Sequence, residues 1–383
     1  MSRIGIVGFG ALGSFYAKMI KDDRRVEGVT VGAICDIDPE KREKARELYA
    51  QVPVFENIDQ LLASGTCDFI SVAVPHYLHP ELTIKAIKAG MPVIVEKPAG
   101  IIPSTVEEMN ACAEAHPEVA FGIMLNQRTN PVFRKLHDIT TSGELGKLRQ
   151  VVWVSRQFRT QKYYDSGTWR ATWGGEGGGV IVNQAPHQID LLQWMFGMPK
   201  RVYATTNFGH HRKIAVENDV CAEFEYENGA TGVFITCTDD VLGEDRLTAV
   251  YDKGRVRVLD SKRLVIEKLC DDEEKIGTEY PEETITQLKN SGKLFEVTTF
   301  EKENDPFANS EHAKVFRAFA EHLAKPDKPM VAKGTDGLNE VQLASAIQLS
   351  GWLRQPVDIP VDNELYRREL NKRIAEEGKY ELR

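Results

Sequence analysis

The segment IVGFGALG, residues 6–13, constrains the fold more than any other part of the chain, because a β-branched run leads directly into a Gly-x-Gly-x-x-Gly pattern. Between a strand and a helix, the first glycine permits a tight turn, the second lets a phosphate approach the backbone, and the third lets helix and strand pack closely. The helix N-terminus adds amide donors and a positive dipole end. The pattern predicts a dinucleotide-binding loop made of Gly8, Phe9, Gly10, Ala11, Leu12 and Gly13.

The order of patterns along the chain predicts two domains. From residue 3 to about residue 126, short β-branched runs alternate with helical patterns over 40–51, 80–89 and 104–115, which is typical of a parallel sheet with helices on both faces. After residue 147, alternating runs are joined by tight turns such as Glu227-Asn228-Gly229, which is typical of an antiparallel or mixed sheet. We therefore expect an α/β fold: a Rossmann domain over 1–125, and over 126–383 an α+β domain with a large open, mainly antiparallel sheet.

In the last part of the chain, the patterns predict three helices and one irregular segment. Residues 311–325 and 335–353 have amphipathic helical patterns, and 362–383 predict a charged terminal helix. The acidic segment 271–307 predicts an irregular excursion near the sheet edge or at an oligomer contact. A large open sheet leaves a face to be covered, and a second copy of the chain is a common cover. We expect a homodimer or homotetramer.

Composition excludes several classes of protein. With 48 basic and 57 acidic residues the net charge is −9, and no run of Lys and Arg is present that could follow a phosphate backbone, so a nucleic acid is not expected as a partner. Four glycines interrupt the apolar N-terminal run, which argues against a secretory signal. No apolar run reaches the roughly 18 residues of a membrane span. The scattered cysteines contain no C-x-x-C pair, which favours reduced thiols in a cytoplasmic protein.

Asp36 closes the second predicted strand, where an acid can bind the 2′-hydroxyl of an adenosine ribose and repel a 2′-phosphate. This position favours NAD over NADP. Two alternatives remain open: Asp36 and Asp38 can be turn residues before Pro39, and the nearby cations of residues 41–42 keep NADP possible.

A second candidate group lies in PVIVEKPAG, residues 92–100, which places Glu96 and Lys97 at the end of a predicted central strand. In open α/β sheets, ligands bind at the carboxyl ends of the strands. The alternative is a surface ion pair, which is the usual fate of a Glu-Lys dipeptide. Pro98 can fix the local turn, including through a cis bond.

Five glycines between residues 174 and 179 precede an apolar helical pattern that carries Asn183, His187 and Asp190. Helical spacing would let these three side chains share a face. Pro186 fits only the first turn of a helix, which places Asn183 at or before the helix start. A lone histidine on a helix is usually structural, but the glycine-rich approach favours a functional His187.

Oxidising a secondary alcohol requires a group that accepts the hydroxyl proton and a donor that stabilises the alkoxide. His187 can be the base and Lys97 the donor. A lysine whose pKa is lowered by burial can instead be the base. The sequence leaves both assignments open.

These motifs resemble the glucose-fructose oxidoreductase, inositol dehydrogenase and rhizopine-catabolism family (Gfo/Idh/MocA) over nearly the whole chain. The resemblance rests on GIVGFGALG, VAVPHYLHPELTIKAIKAGMPVIVEKP, NQRTNP, WRATWGGEGGGVIVNQAPHQIDLL, VENDVCAEFEYENGATGVF and DGLNEVQLASAIQLSGWLRQPVDIPVD. It implies that Lys97 reaches the reacting hydroxyl and the nicotinamide ribose, that Glu96 helps hold the loop and cofactor, and that His187 is the general base.

The same resemblance implies further site residues. Pro75 and His79 would line the nicotinamide side, and the sugar pocket or the nearby cofactor would be lined by Asn126, Arg128, Tyr163, Tyr164, Trp169 and Arg170. The alternative for the aromatic residues is core packing, and for the arginines solvated ion pairs. Inositol dehydrogenase-like members have an aspartate where this chain has Asn183. An amide can hydrogen-bond a substrate hydroxyl but cannot accept a proton, so Asn183 is expected to bind substrate and argues against an inositol dehydrogenase.

Three functions follow from the resemblance. The first is an NAD-dependent dehydrogenase, or the reverse reductase, acting on a ring hydroxyl of a sugar, glycoside or cyclic polyol. The second, suggested by Asn183 and by the aromatic segment 161–173, is a redox-assisted glycosidase that retains NAD and cleaves glycosides by transient oxidation and elimination, with Tyr163 or Tyr164 aiding proton transfer. The third is a non-catalytic sensor, against which the presence of both Lys97 and His187 argues. His210 and His211 are expected to be loop residues, with no metal bound, because adjacent histidines rarely chelate one ion.

Overall fold

The computed structural model describes residues 1–303 and 310–383, which divide into two compact units. The first unit contains Met1–Thr129, Gly175–Gly177 and the described part of residues 305–341. The second contains Asn130–Gly174, Gly178–Glu303 and Gln342–Arg383. This division differs from a single cut after residue 125. The last residues of the segment expected to be irregular, 304–307, lie outside the described residues.

The first unit is built on a six-stranded sheet in the order β3-β2-β1-β4-β5-β6, in which every pair is parallel. The strands are β1 Ser2–Val7, β2 Val29–Cys35, β3 Val54–Phe55, β4 Phe69–Val72, β5 Val93–Val95 and β6 Phe121–Ile123. The strand order reverses between β1 and β4, the position where doubly wound sheets bind nucleotides. The predicted Rossmann fold is therefore confirmed.

Helices connect these strands and cover the sheet. They are α1 Ala11–Ala17, α2 Pro39–Leu48, α3 Ile58–Ala63, α4 His79–Lys88 and α5 Pro103–Glu114, and α1 continues as a π-helical turn through Asp22. Only β3 and α3 have no counterpart among the predicted elements. The two-residue β3 is too short to produce a periodic pattern.

A helix from the far end of the chain completes this unit. In α11, Ser310–Ala324, Phe316 packs edge-on against Tyr16 at a centroid distance of 4.9 Å, and Phe319 lies 5.4 Å from Phe69. All four rings are buried in one hydrophobic core. A domain boundary after residue 125 would separate this helix from the sheet that it covers. The order of elements in the sequence does not reveal this long-range contact.

The second unit is built on a nine-stranded sheet in the order β14-β13-β12-β11-β7-β10-β9-β8-β15. Its strands are β7 Leu148–Phe158, β8 Arg201–Phe208, β9 Glu217–Glu225, β10 Thr231–Cys237, β11 Asp239–Tyr251, β12 Gly254–Leu259, β13 Arg263–Leu269, β14 Phe295–Glu301 and β15 Val357–Asp358. The β7–β10 pair is parallel and the remaining pairs are antiparallel. The predicted open, mainly antiparallel sheet is confirmed.

The remaining helices are α6 Pro131–Ser142, α7 Gln161–Tyr164, α8 Pro186–Phe196, α9 Glu273–Glu279, α10 Glu282–Asn290, α12 Gly337–Leu353 and α13 Asn363–Glu377. The segment expected to be irregular contains α9, α10 and the edge strand β14. Among the described residues, no helix is both long and apolar enough to cross a membrane.

Candidate active site

The glycine loop of the first unit has the geometry of a phosphate cradle. Gly8 has φ +93°, and a Cβ on this residue would lie 2.3 Å from the carbonyl oxygen of Ala73. A Cβ on Gly13 would lie 1.9 Å from the carbonyl oxygen of Gly8, whereas one on Gly10 would meet nothing within 4 Å. Two of the glycines are therefore required by packing. The open space at Gly10 lies at the start of α1, which no side chain caps.

Asp36, directly after β2, is buried and holds this loop. Its Oδ2 accepts a 2.7 Å hydrogen bond from the amide of Phe9, and its Oδ1 accepts one of 2.9 Å from the amide of Asp38. Asp38 has a different function, since its side chain caps α2 by accepting from the amide of Glu40. The carboxylate of Asp36 has about four lone-pair sites, so it can still accept a hydrogen bond from a ribose hydroxyl.

The two nearby cations are already engaged. Lys41 Nζ lies 3.9 Å from a carboxylate oxygen of Asp36 and 3.9 Å from one of Asp38. Arg42 Nη1 donates to the carbonyl oxygens of Asp36 at 3.0 Å and Ile37 at 2.7 Å. Both cations serve their own loop, which favours a ribose hydroxyl over a 2′-phosphate beside Asp36.

Glu96 and Lys97 follow β5 at the carboxyl edge of the sheet. Glu96 is 3% exposed and accepts a hydrogen bond from the hydroxyl of Tyr16, while the amide of Lys97 donates to Glu96 Oε2 at 3.3 Å. The Lys97–Pro98 peptide bond is cis. The glutamate thus fastens the loop to α1, and the lysine is held beside it.

Lys97 is half-buried among carboxyl groups. Burial lowers the pKa of its ammonium group, and three carboxyl groups, all of them buried, oppose that shift: Glu96, Glu340 and Glu176. Burial also raises the pKa of Glu96 to about 7, against the effect of its hydrogen bond from Tyr16. The lysine is therefore a cation whose proton is held less tightly than usual and whose charge has nearby counter-charges.

His79 and Pro75 also lie in this unit. His79 is buried, with Nδ1 2.7 Å from the carbonyl oxygen of Pro98 and Nε2 2.8 Å from that of Val74. Burial lowers the pKa of the His79 imidazole to about 4. This histidine holds the loop after Lys97 in place, and Pro75 is exposed at the carboxyl edge beyond β4.

Asn126 and Arg128 follow β6 in a short 3₁₀ turn. Asn126 is buried, with its amide nitrogen 3.1 Å from the ring nitrogens of His312. Arg128 is 5% exposed and donates to Asp336 Oδ2 at 2.7 Å. Both side chains have polar partners inside the first unit, and sequence reasoning had named neither partner.

In the second unit, the helix that carries His187 begins at Pro186, as its first-turn preference predicts. Asn183 lies before it, in the π-helical turn Val180–Gln184. Asp190 is buried on the helix and accepts from Gln193 Nε2 at 2.9 Å. Asn183 and His187 are half-exposed, so both side chains are partly accessible to solvent.

Tyr163, at the end of the short helix α7, contacts this turn. Its phenol oxygen accepts hydrogen bonds from Arg170 Nη1 at 3.1 Å, Gln184 Nε2 at 3.2 Å and Asn183 Nδ2 at 3.3 Å. The guanidinium of Arg170 also lies over the rings of Tyr163 at 4.9 Å and Trp169 at 4.6 Å. These residues form one polar cluster.

Tyr164 points elsewhere. It is 5% exposed and its hydroxyl lies 2.7 Å from Oγ1 of Thr238, the residue between β10 and β11. Of the two adjacent tyrosines, only Tyr163 therefore presents its hydroxyl to Asn183. The two rings are in edge-on contact, with their centroids 5.2 Å apart. Because the residues are adjacent and of the same type, the sequence does not show which hydroxyl lies near Asn183.

The glycine run is explained by packing. A Cβ on Gly174 would lie 2.3 Å from Tyr380, one on Gly178 2.2 Å from the amide nitrogen of Gln348, and one on Gly179 1.9 Å from the carbonyl oxygen of Glu217. No side chain fits in these places. The run therefore brings the backbone close to other protein groups of the second unit, which the sequence interpretation had not foreseen.

Glu217 is a site residue that sequence reasoning missed. Its fully buried carboxylate accepts from the amides of Gly179 at 2.9 Å and Ile181 at 3.3 Å, and also from the side chain of Gln348. Gln348 in turn accepts from the hydroxyl of Tyr366 at 2.8 Å. Burial raises the pKa of Glu217 to about 7. This chain of hydrogen bonds fixes the turn that carries Asn183.

A cavity of about 770 Å³ lies in the second unit. Arg170 lines it together with three further cationic side chains, Arg212, Lys213 and Lys379, and two acids, Asp165 and Glu377. The Glu377 carboxylate already accepts from the backbone amides of Trp173 at 2.5 Å and Gly174 at 3.0 Å. The cavity is large enough for a sugar-sized ligand.

A parallel sheet with a dinucleotide loop, followed by an open mixed sheet, is an architecture that NAD-binding oxidoreductases use. Residues 2–122 match the family described as "Oxidoreductase family, NAD-binding Rossmann fold", and residues 133–257 match "GFO/IDH/MocA C-terminal domain". Together these matches cover more than half of the chain, which belongs to the Gfo/Idh/MocA family.

Similar proteins are named as dehydrogenases and oxidoreductases. The inositol 2-dehydrogenase of Corynebacterium glutamicum (strain R) is 23% identical over 266 residues, which are 67% of this chain and 73% of that protein. An uncharacterized oxidoreductase, C115.03, of Schizosaccharomyces pombe is 32% identical over 164 residues, 43% of each chain.

Solved structures show the same fold. The WlbA dehydrogenase from Bordetella pertussis, in complex with NADH and UDP-GlcNAcA, superposes with a TM-score of 0.75 at 24% identity, covering 94% of this chain and 99% of that one. A levoglucosan dehydrogenase in complex with NADH and levoglucosan gives 0.74 at 17% identity, with coverages of 94% and 99%. At these identities the likeness concerns the fold alone.

The residues of the first unit fit NAD, as predicted. The open space at Gly10 and the uncapped start of α1 suit a pyrophosphate. The Asp36 carboxylate suits a ribose hydroxyl.

Proposed function

We propose that the protein is an NAD-dependent dehydrogenase acting on a ring secondary alcohol of a sugar, glycoside or cyclic polyol. The observation that carries the proposal is Lys97, a half-buried cation of lowered pKa at the carboxyl edge of the parallel sheet, beside the buried Glu96. A group of this kind at that edge can serve as an acid, a base or an oxyanion donor. Relatives named inositol 2-dehydrogenase support the substrate class.

In this proposal Lys97 donates to the substrate oxygen and stabilises the alkoxide that forms when the hydroxyl proton leaves. His187 accepts that proton. Asn183 and Arg170, both in the cluster around Tyr163, hydrogen-bond the neighbouring ring hydroxyls. NAD, when bound, supplies the hydride acceptor.

The second candidate is a redox-assisted glycosidase, and the cluster around Tyr163 favours it. An acid group that serves a leaving aglycone must be reachable and fixed in direction. Tyr163 is half-exposed and three donors orient its phenol oxygen. Such an enzyme would cleave glycosides with no net formation of NADH.

One parallel assay tests both candidates. The purified protein is mixed with NAD, and separately with NADP, and with a panel of free sugars, inositols and aryl glycosides, while nicotinamide reduction and aglycone release are recorded together. Reduction without aglycone release supports the dehydrogenase, and aglycone release without reduction supports the glycosidase. If neither signal rises with any member of the panel, the proposed substrate class is wrong.

Two further proposals concern the setting of the protein. Its six cysteines are all unpaired, which supports a reducing compartment such as the cytoplasm. The open face of the nine-stranded sheet supports a homodimer or homotetramer.

A further inference from the structure

The loop that joins β8 to β9, residues 209–216, carries two adjacent histidines on the same side of the backbone. Neighbouring residues of an extended chain point to opposite sides. His211, however, has φ +55°, and the centroids of the His210 and His211 rings are 4.1 Å apart. A left-handed conformation is unusual for a residue other than glycine and persists only where its surroundings hold it.

Asn218, in β9, holds the backbone of this histidine pair. Its side chain is fully buried, its amide nitrogen donates to the carbonyl oxygen of His210 at 2.8 Å, and its Oδ1 accepts from the amide of His210 at 2.7 Å. Both polar groups of the His210 backbone are thus bound by one rigid side chain. The backbone of His210, from which the imidazole extends, is therefore fixed.

Two carboxylates from other strands reach the same place. Asp239 begins β11, and its Oδ2 lies 3.1 Å from His210 Nδ1, while Oδ2 of Asp219 lies 3.9 Å from the same nitrogen. The ligand atoms of His210, His211 and Asp239 all lie within 4.8 Å of one another. Two atoms bound to one tetrahedral ion at about 2.0–2.1 Å are roughly 3.3 Å apart. Small side-chain rotations would bring the group to that geometry.

We infer that His210, His211 and Asp239 bind one divalent transition-metal ion of the Zn²⁺ class, with Asp219 or water as the fourth ligand. Two imidazole nitrogens with one or two carboxylate oxygens suit Zn²⁺, whereas Ca²⁺ and Mg²⁺ prefer oxygen ligands alone. An ion can reach the site because the His210 side chain is 49% exposed, while Asp239, at 13%, is held in place. The sequence hides this site because Asp239 comes from β11, a strand far along the chain from the loop.

The ion would tie together β8, β9 and β11. It would fix the loop 209–216, of which Gly209 and Arg212 line the cavity of about 770 Å³ in the same unit. The site is therefore a structural clamp beside the cavity. The inference does not depend on the proposed function, because binding of the ion can be measured without any substrate.

The test is a calorimetric titration of ZnCl₂ into the full-length protein after removal of metal with a chelator. We expect one site per chain, and at least tenfold weaker binding in His210→Ala, His211→Ala and Asp239→Asn. Binding of Co²⁺ should give the visible absorption of a tetrahedral site in the wild type and in none of these three variants. Addition of Zn²⁺ should also slow amide hydrogen exchange in residues 209–216.

His322→Ala, which removes a histidine of α11 in the first unit, is the matched control and should bind like the wild type. The unfolding temperatures of the metal-free variants identify any that fail to fold, and Asp239→Asn keeps the shape of the side chain. The inference is overturned if the wild type binds no Zn²⁺, or if His210→Ala, His211→Ala and Asp239→Asn bind it as tightly as His322→Ala does.

Discussion

At the scale of single residues, the site depends on charges held where water is scarce. Nearby carboxyl groups favour the charged form of the Lys97 ammonium group. Burial alone would favour its neutral form, and the carboxyl groups of Glu96, Glu340 and Glu176 oppose that effect. Such a group can donate to an alkoxide when protonated or accept a proton when neutral. Substitutions at Lys97 separate these two roles.

Replacing Lys97 with Met keeps most of the apolar stem and removes the charge. We expect turnover to fall by at least about 10²–10³-fold, the usual effect of losing one donor to a developing oxyanion. NAD affinity, measured by calorimetry, should change little. A fully active Lys97→Met variant would rule out the proposed mechanism.

Lys97→Arg then distinguishes donor from base. Arginine stays protonated at all working pH values and still donates hydrogen bonds. If Lys97 is a donor, this variant should retain part of the turnover and lose any pH dependence that Lys97 causes. If Lys97 is the base, Lys97→Arg should be as inactive as Lys97→Met.

Tyr163 and Tyr164 form a matched pair for a second prediction. Tyr163→Phe removes the acceptor that orients three half-exposed donors, the side chains of Arg170, Asn183 and Gln184, which can bind water in its place. We expect kcat/KM to fall by roughly tenfold or more, with little change in thermal stability because the ring is half-exposed.

Tyr164→Phe should lower stability and leave turnover unchanged. It removes the contact with Thr238 in a buried position, so the free energy of unfolding should fall by about 1 kcal/mol while kcat/KM stays near the wild-type value. If Tyr164→Phe impairs turnover and Tyr163→Phe does not, then the assignment of Tyr163 to the site is wrong.

At the scale of elements, the turn Val180–Gln184 is held by Glu217 rather than by its own sequence. The carboxylate binds the amides of Gly179 and Ile181, and the glycines beside it leave room for this approach. Because burial raises the pKa of Glu217 to about 7, its protonation changes close to neutral pH. Stability should therefore depend on pH in this range.

The direction of this effect follows from the two states of the chain. An unfolded glutamate loses its proton near pH 4.5, whereas folded Glu217 keeps it to about pH 7. The folded state binds more protons in this window, so the free energy of unfolding falls as pH rises from about 4.5 to about 7. The loss is at most roughly 3 kcal/mol for one such carboxyl group. Glu96, also shifted to about 7, adds an effect of the same sign.

Glu217→Gln should reduce this loss of stability, since an amide does not titrate. Chemical denaturation of the wild type and the variant at pH 5, 6, 7 and 8 measures it. Glu223→Gln, an exposed position on the same strand, is the control and should leave the pH dependence unchanged. If the free energy of unfolding changes equally with pH in all three proteins, then the pKa of Glu217 is not raised by burial.

The elements also show where sequence reasoning succeeds. The places of the glycine loop after β1 and of Asp36 after β2 were predictable because a local sequence pattern marks each of them, and so was the start of α8 at Pro186. Glu217, the choice of Tyr163 over Tyr164, and the pairing of Asp239 with His210 were not predictable. Each depends on residues far apart in sequence, whose contacts arise only when the strands pair.

At the scale of the whole molecule, the nine-stranded sheet has two unlike faces. Along β10, Phe234 is buried on one face, whereas Val233 and Ile235 on the other are half-exposed, as is Val152 on the neighbouring strand β7. Farther out on the same face, Arg255 and Arg257 pair with Glu267. An apolar centre with a charged rim is the usual anatomy of a protein interface.

We therefore expect the protein to associate through this face, and Ile235→Glu to weaken the association by placing an unpaired charge at its centre. Sedimentation velocity at several concentrations should show a dimer or tetramer for the wild type and a shift to monomer at micromolar concentration for Ile235→Glu. Thr231→Glu, at the exposed end of the same strand and face, is the matched control and should associate like the wild type. A wild type that remains monomeric at all concentrations, or an Ile235→Glu variant that associates as tightly, would show that this face is not the interface.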